Sequence, residues 1–314
     1  MTDFAIQTSG LTKRFGKLTA FADVSLRVRT GCKTALLAPT DGSKTSLVKS
    51  LLGLYSLTAG SGTLLGMDIA SDSMKIRRNV GYAPQEPMFD ETQTISSAIH
   101  FAARFASPDD AVSRSAAMLD RFGFTGKEKR IARNCDYVDR ARLAVAQAFV
   151  NNPPLVILDQ SIDDLDPLDR DEMFQRLNVL HKERGTTILL VTKNTVVAEL
   201  FADDVIIMIN GRVVAQDGLR ELVGSHDLDQ ASVRVGGERR DVLDQIRAQA
   251  WVKSVISERV ADGERWTVIT EDGAAAAKLL PLLAGSGVSV LEFQADHLSL
   301  EDVFKQLLMK AEAA

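Results

Sequence analysis

The stretch 155–159 is apolar without alternation, the pattern of a strand covered on both faces in the interior of a parallel sheet. Residues 24–28, 33–37 and 187–192 also read as strands, and the spacing of apolar positions predicts helices over 44–52, 170–184 and 196–201. Alternation of strands with helices is an α/β layout. Asn210-Gly211, between the β-rich runs 204–210 and 212–215, predicts an antiparallel hairpin at the end of this part. Residues 224–230 turn polar, and the pattern then changes to a strand at 231–235, a helix at 241–250, a strand pair at 252–260 and 265–270 turned at Asp262-Gly263, a helix at 274–284, a strand at 288–293 and a last helix at 300–310. That order is βαββαβ plus a helix, a split βαβ or ferredoxin-like arrangement. A boundary near 224 follows.

The length of 314 residues agrees with about two domains, and 45% hydrophobic with 25% charged residues is the composition of an ordinary globular protein. No apolar run approaches the ~18 residues of a membrane span. The start, Met1-Thr2-Asp3-Phe4, lacks the basic-then-apolar order of a signal peptide, so a cytoplasmic location is expected. Cys32 and Cys135 cannot build a disulfide framework, and no Cys/His spacing suggests a metal. A net charge of −5 without any basic block argues against a nucleic-acid partner.

Between the strand 33–37 and the following helix lies Ala38-Pro39-Thr40-Asp41-Gly42-Ser43-Lys44-Thr45. A loop in that place can hold phosphate, because the N–H groups at a helix start attract an anion. In GxxxxGK[ST] the lysine reaches the β- and γ-phosphates and the hydroxyl holds Mg²⁺. Lys44 and Thr45 are present, but Ala38 and Ser43 replace the two glycines, Gly42 comes one residue early and Asp41 adds a negative charge. Alone, this octet is as readily an ordinary strand-to-helix turn.

Further on come Gly81-Tyr82-Ala83-Pro84-Gln85, the run from Arg142-Leu143-Ala144 to Leu158-Asp159, Asp163-Asp164-Leu165-Asp166-Pro167 and Ile206-Ile207-Met208-Ile209-Asn210-Gly211-Arg212. In that order the sequence resembles the ATP-binding subunits of ABC transporters, over residues 4 to about 220. The C-terminal run Leu298-Ser299-Leu300-Glu301-Asp302-Val303-Phe304 is similar to the tail domain of subunits of the daunorubicin-export and sodium-efflux type. The resemblance implies a P-loop NTPase fold over 1–224 with a helical subdomain at about 86–150, and a small α+β accessory domain over 225–314. It also implies ATP and Mg²⁺ as ligands. Phe15 would stack on adenine, and Asp41, Gly42, Ser43, Lys44, Thr45 and Ser46 would line the phosphates. Thr45, Gln85 and Asp159 would serve Mg²⁺, and Asp166 would belong to the loop that crosses the dimer interface.

Departures from the family pattern carry the functional argument. Where the family places a glutamate after the strand-end aspartate, this chain has Gln160, and an amide cannot accept the proton of an attacking water. Val191-Thr192-Lys193 puts a lysine where the family has its histidine. The signature LSGGQ corresponds to Cys135-Asp136-Tyr137-Val138-Asp139, so two glycines become bulky and two carboxylates stand at a helix start. The expectation is a catalytically degenerate subunit, structural or regulatory, on the inner face of the cell membrane. Its partners would be an integral membrane permease and a second ATP-binding subunit, identical or an intact paralogue. The alternative is an active ATPase energising export of a small molecule, lipid or glycan.

Overall fold

The computed structural model describes residues 3–39, 43–87, 89–106, 109–224, 230–237, 239–260, 263–270, 275–296 and 299–312. The chain divides into two units, 1–218 and 219–314. The first contains, in order, β1 (Phe4–Phe15), β2 (Leu18–Val24), β3 (Arg27–Arg29), β4 (Lys33–Leu37), α1 (Ser43–Leu51), β5 (Ala59–Leu64), β6 (Met67–Asp68), α2 (Ser73–Asn79), β7 (Val80–Ala83), α3 (Ile95–Ala106), α4 (Ala111–Arg121), α5 (Tyr137–Phe149), β8 (Leu155–Asp159), α6 (Pro167–Arg184), β9 (Thr187–Thr192), α7 (Thr195–Phe201), β10 (Asp204–Ile209) and β11 (Arg212–Gly218).

Among the described residues of this unit, one sheet has the order β11-β10-β4-β9-β8-β7, and the other has β2-β1-β5-β6 with β3 beside β1. Strands β10, β4, β9, β8 and β7 are parallel, and β11 returns antiparallel as the Asn210-Gly211 hairpin requires. Every residue of β8, β9 and β10 is buried, which explains their continuous apolar character. The two faces of β8 feed separate cores. Leu155 and Ile157 join Leu47, Val48 and Leu51 of α1, whereas Val156 and Leu158 join residues of α5 and α6 such as Leu143, Val145, Met173 and Leu177. Gly81 permits one close approach: a Cβ there would sit 2.1 Å from the Ala148 carbonyl oxygen of α5.

The strand expected at 24–28 is instead split. β2 pairs with the second half of β1 and β3 with its first half. Thr8 of β1 holds the crossing, its hydroxyl donating to Val24 O at 3.1 Å and accepting from Leu26 N–H at 2.9 Å.

The second unit comprises α8 (Leu219–Gly224), β12 (Gln230–Val235), α9 (Arg240–Arg247), β13 (Val252–Val260), β14 (Gly263–Thr270), α10 (Ala275–Gly285), β15 (Val290–Asp296) and α11 (Leu300–Glu312). Its start at Leu219, earlier than the expected 225, follows from α8 packing against α11. The described strands form an antiparallel sheet of order β13-β14-β12-β15, the ferredoxin-like order. Val233, Trp266 and Val268 share a core with Val242 and Ile246 of α9 and Leu279 and Leu283 of α10. Trp266 is fully buried and satisfies its indole N–H on Glu264 Oε2 at 2.8 Å.

Candidate functional site

The ends of β4, β7, β8 and β9 converge beside the start of α1. β4 leads into Ala38 and Pro39; Asp41 and Gly42 lie outside the described residues, and α1 begins at Ser43 with Lys44, Thr45 and Ser46 in its first turn. Lys44 is almost wholly buried, and its ammonium donates to Ala38 O at 2.9 Å and to Pro39 O. Asp159 ends β8 with no exposed surface. The Thr45 hydroxyl meets its Oδ1 at 3.5 Å, and the Tyr82 hydroxyl donates to its Oδ2 at 3.1 Å. Burial pushes the Asp159 carboxyl up from its ordinary value, opposed by these two hydroxyls and by the charges of Lys44 and Lys49. Burial, and then the charge of Asp159, raise Tyr82.

Gln160 follows in the left-handed region, φ 55°, and is buried. Its N–H donates to Val191 O at 2.8 Å, and its side-chain amide donates to Gln85 Oε1 at 3.3 Å. The two glutamines separated by 75 positions thus meet. Lys193, after β9, donates its backbone N–H to Asp163 Oδ2 at 3.1 Å, while its ammonium stands 3.7 Å from Asp164. Asp163 is buried with Oδ1 unpartnered; burial raises its carboxyl against the Thr192 hydroxyl and the Lys193 N–H. Asp166 caps α6, its Oδ1 accepting from Asp169 N–H at 2.9 Å.

Phe15 is half-exposed at the end of β1, edge-on to Tyr55 with ring centroids 5.4 Å apart. The Lys13 ammonium lies 4.7 Å from the Phe15 centroid and donates to Ser56 O at 2.7 Å.

At α5 the structure corrects one sequence expectation. Asp136 and Asp139 were both expected to set negative charge where an anion would sit. Asp136 does so as the N-cap, its Oδ1 accepting from Asp139 N–H at 2.8 Å. Asp139, by contrast, is only 3% exposed and turned inward, 2.8 Å from Arg130, 3.4 Å from Lys127 and 3.9 Å from Arg142. Three cations neutralise it. The helix start is therefore capped by one carboxylate, that of Asp136. Tyr137 keeps 44% of its surface exposed there.

A cleft of about 490 Å³ lies beside β7, α3 and the C-terminal end of α5, lined by Arg77, Tyr82, Phe89, Phe101, Phe105 and Gln147 among others. Phe101 and Phe105 leave most of their surface in solvent. Among the described residues no helix is long and apolar enough to cross a membrane.

The donor set at Asp159 and Thr45 is all oxygen and built around a buried carboxylate, which fits a hard divalent cation such as Mg²⁺. Lys44, an ammonium in the first turn of α1, has the charge that a phosphate would need. Where the resemblance expects the residues that handle an attacking water stand Gln160, whose side-chain amide donates to Gln85, and Lys193, whose ammonium faces Asp164. Tyr82 and the cations around Asp139 carry no motif that marks them in the sequence.

The ABC transporter family profile matches residues 21–162. The chain is 30% identical to the Nod factor export ATP-binding protein I of Ralstonia nicotianae, with 96% of this chain and 93% of that protein covered. It is 28% identical to the daunorubicin resistance ATP-binding protein DrrA2 of Streptomyces coeruleorubidus, covering 98% and 96%. Among solved structures, cbiO1 from Clostridium perfringens aligns with a TM-score of 0.64 at 23% identity, over 70% of this chain and 91% of that one. A dimeric ATP-binding cassette in a post-hydrolysis state with ADP and Pi aligns with 0.63 at 22%, over 68% and 99%. At those identities the solved structures speak for the fold.

Proposed function

The chain belongs to the ABC transporter ATP-binding family, and on that premise we propose that it is a nucleotide-binding subunit without effective hydrolysis, serving a structural or regulatory role beside a membrane permease. The observation that carries this reading is the hydrogen bond from Gln160 to Gln85, because it puts an amide donor where a proton acceptor is needed. The Asp136 cap at the start of α5 supports it from the opposite side of a dimer.

Lys44 would hold the β- and γ-phosphates of ATP, and Thr45 and Asp159 would hold Mg²⁺, with Gln85 beside them. When bound, the cation neutralises phosphate charge. Phe15 offers a ring face for adenine, and Asp166 braces the loop toward the second subunit. Asp41, Gly42, Ser43 and Ser46 complete the phosphate loop. Paired with itself, the chain has two impaired sites; paired with an intact paralogue, each composite site still lacks a component. The cleft lined by Phe101 and Phe105 is the surface on which an integral membrane permease would dock, holding the subunit at the inner face of the membrane. The relatives named for Nod factor export and daunorubicin resistance favour export as the direction.

The test is phosphate release from ATP by the purified chain, alone and with its permease, with Lys44→Ala as control. The expected result is no Lys44-dependent turnover. Turnover at rates ordinary for such enzymes, lost in Lys44→Ala, would support an active exporter ATPase instead.

A further inference from the structure

The bond between Tyr82 and Asp159 joins β7 to β8 beside Thr45 of α1. In the parallel register Tyr82 stands opposite Ile157, so Asp159, two residues further along β8, projects from the same face. That face looks toward α1: Tyr82 packs against the core that includes Ile157, Leu47 and Leu51. Gly81, with the opposite orientation, lies against Ala148 of α5. The ring is thus set by packing and the hydroxyl by its bond to Oδ2 at 3.1 Å. Thr45 lies on the other carboxylate oxygen at 3.5 Å. A carboxylate with no exposed surface keeps its charge only with donors around it, and its rotation is limited by how many it has.

We propose that Tyr82 is a positioning residue for the divalent cation of the nucleotide site, holding Asp159 by Oδ2 so that Oδ1 is directed at Thr45. The inference rests on the nucleotide-binding reading above. Tyr82 does not touch the cation; it acts through Asp159. Without the phenol, one oxygen of a buried carboxylate has lost its donor, and the carboxylate is free to turn away from Thr45. Partners that orient a metal ligand in this way are typically worth about 10–100-fold in metal affinity. A tie that merely held β7 to β8 would instead affect nucleotide binding with and without metal alike.

The experiment titrates the full chain with trinitrophenyl-ATP, first in EDTA and then in Mg²⁺, for the wild type, Tyr82→Phe, Asp159→Asn and the double variant. Wild type is expected to bind more tightly with Mg²⁺. Tyr82→Phe should lose about tenfold of the Mg²⁺-dependent increment with its EDTA affinity unchanged. Asp159→Asn should abolish the increment, and adding Tyr82→Phe to it should change nothing more. Mn²⁺ binding in the presence of the nucleotide analogue, read by electron paramagnetic resonance, should show the same order. An intact increment in Tyr82→Phe, or an equal loss in EDTA and in Mg²⁺, overturns the positioning role and leaves the nucleotide reading standing. So does a wild type that binds the analogue equally well with and without Mg²⁺. A wild type that binds the analogue under neither condition overturns the nucleotide reading, and this inference with it.

Discussion

Gln160 and Gln85 are joined side chain to side chain, the amide of the first donating to the oxygen of the second at 3.3 Å. Each carboxamide carries both a donor and an acceptor, so Gln85 could equally turn its NH2 toward a glutamate at 160; what the amide at 160 removes is a proton acceptor.

Gln160→Glu tests whether a carboxylate at this position supports turnover. A general base typically contributes about 10²–10⁴-fold. In the chain paired with itself, the variant is nevertheless expected to show no measurable phosphate release, because the start of α5 remains capped by Asp136. A gain of about 10²-fold from this single change would show that the α5 start does not limit turnover.

Asp139→Asn removes the charge that Arg130, Lys127 and Arg142 surround. Arg130 and Lys127 are partly solvated, and Arg142 retains Asp169 at 3.1 Å and Glu172, so the loss is smaller than for a sealed ion pair. We expect about 2 kcal/mol of destabilisation, measured by urea unfolding. Unchanged unfolding would mean that the cations around Asp139 are not needed for packing α5.

Asp163→Asn addresses a buried carboxyl whose folded-state pKa is raised by burial. Such an acid favours the folded state when protonated. Its contribution is therefore greatest below the unfolded value of about 3.9 and is lost as pH rises through the raised folded value. The asparagine variant should gain stability relative to wild type as pH is raised from about 4, the unfolded value, to neutrality. Thermal melting at both pH values reads the difference; a variant penalised equally at both refutes the charge argument.

Gly81→Ala would drive a methyl group to within 2.1 Å of the Ala148 carbonyl oxygen, a backbone atom that cannot swing aside. β7 and α5 must separate, at an expected cost of about 3 kcal/mol. The denaturation midpoint of the first unit should fall, whereas Gly126→Ala serves as a contrast in which strain at φ 82° is present without any clash.

Much of the fold was legible because local pattern coincided with tertiary need. Residues 155–159 read as an interior strand since both their faces do meet apolar partners. The order βαββαβ led directly to the sheet order of the second unit. The strand expected at 24–28 failed because its break is imposed by a distant hydroxyl, that of Thr8, and not by any breaker residue between 24 and 28. At the candidate site Lys44, Thr45, Asp159 and Gln85 were legible as motif positions. Asp139 was misplaced because a carboxylate at a helix start can face outward as a cap or inward to cations, and residue type does not distinguish these.

The sequence by itself determined which chemistry is available. That Gln160 is an amide and Lys193 an ammonium is covalent fact, and no packing turns either into a carboxylate or an imidazole. Tertiary structure alone decided which groups meet. The parallel register of β7 on β8 brings Tyr82 to Asp159 across 77 positions, and the turn at Gln160 brings its amide to Gln85 across 75. Those meetings depend on the alignment of strands paired at long range, which is set by the packing of both sheet faces together and is not encoded in any local spacing.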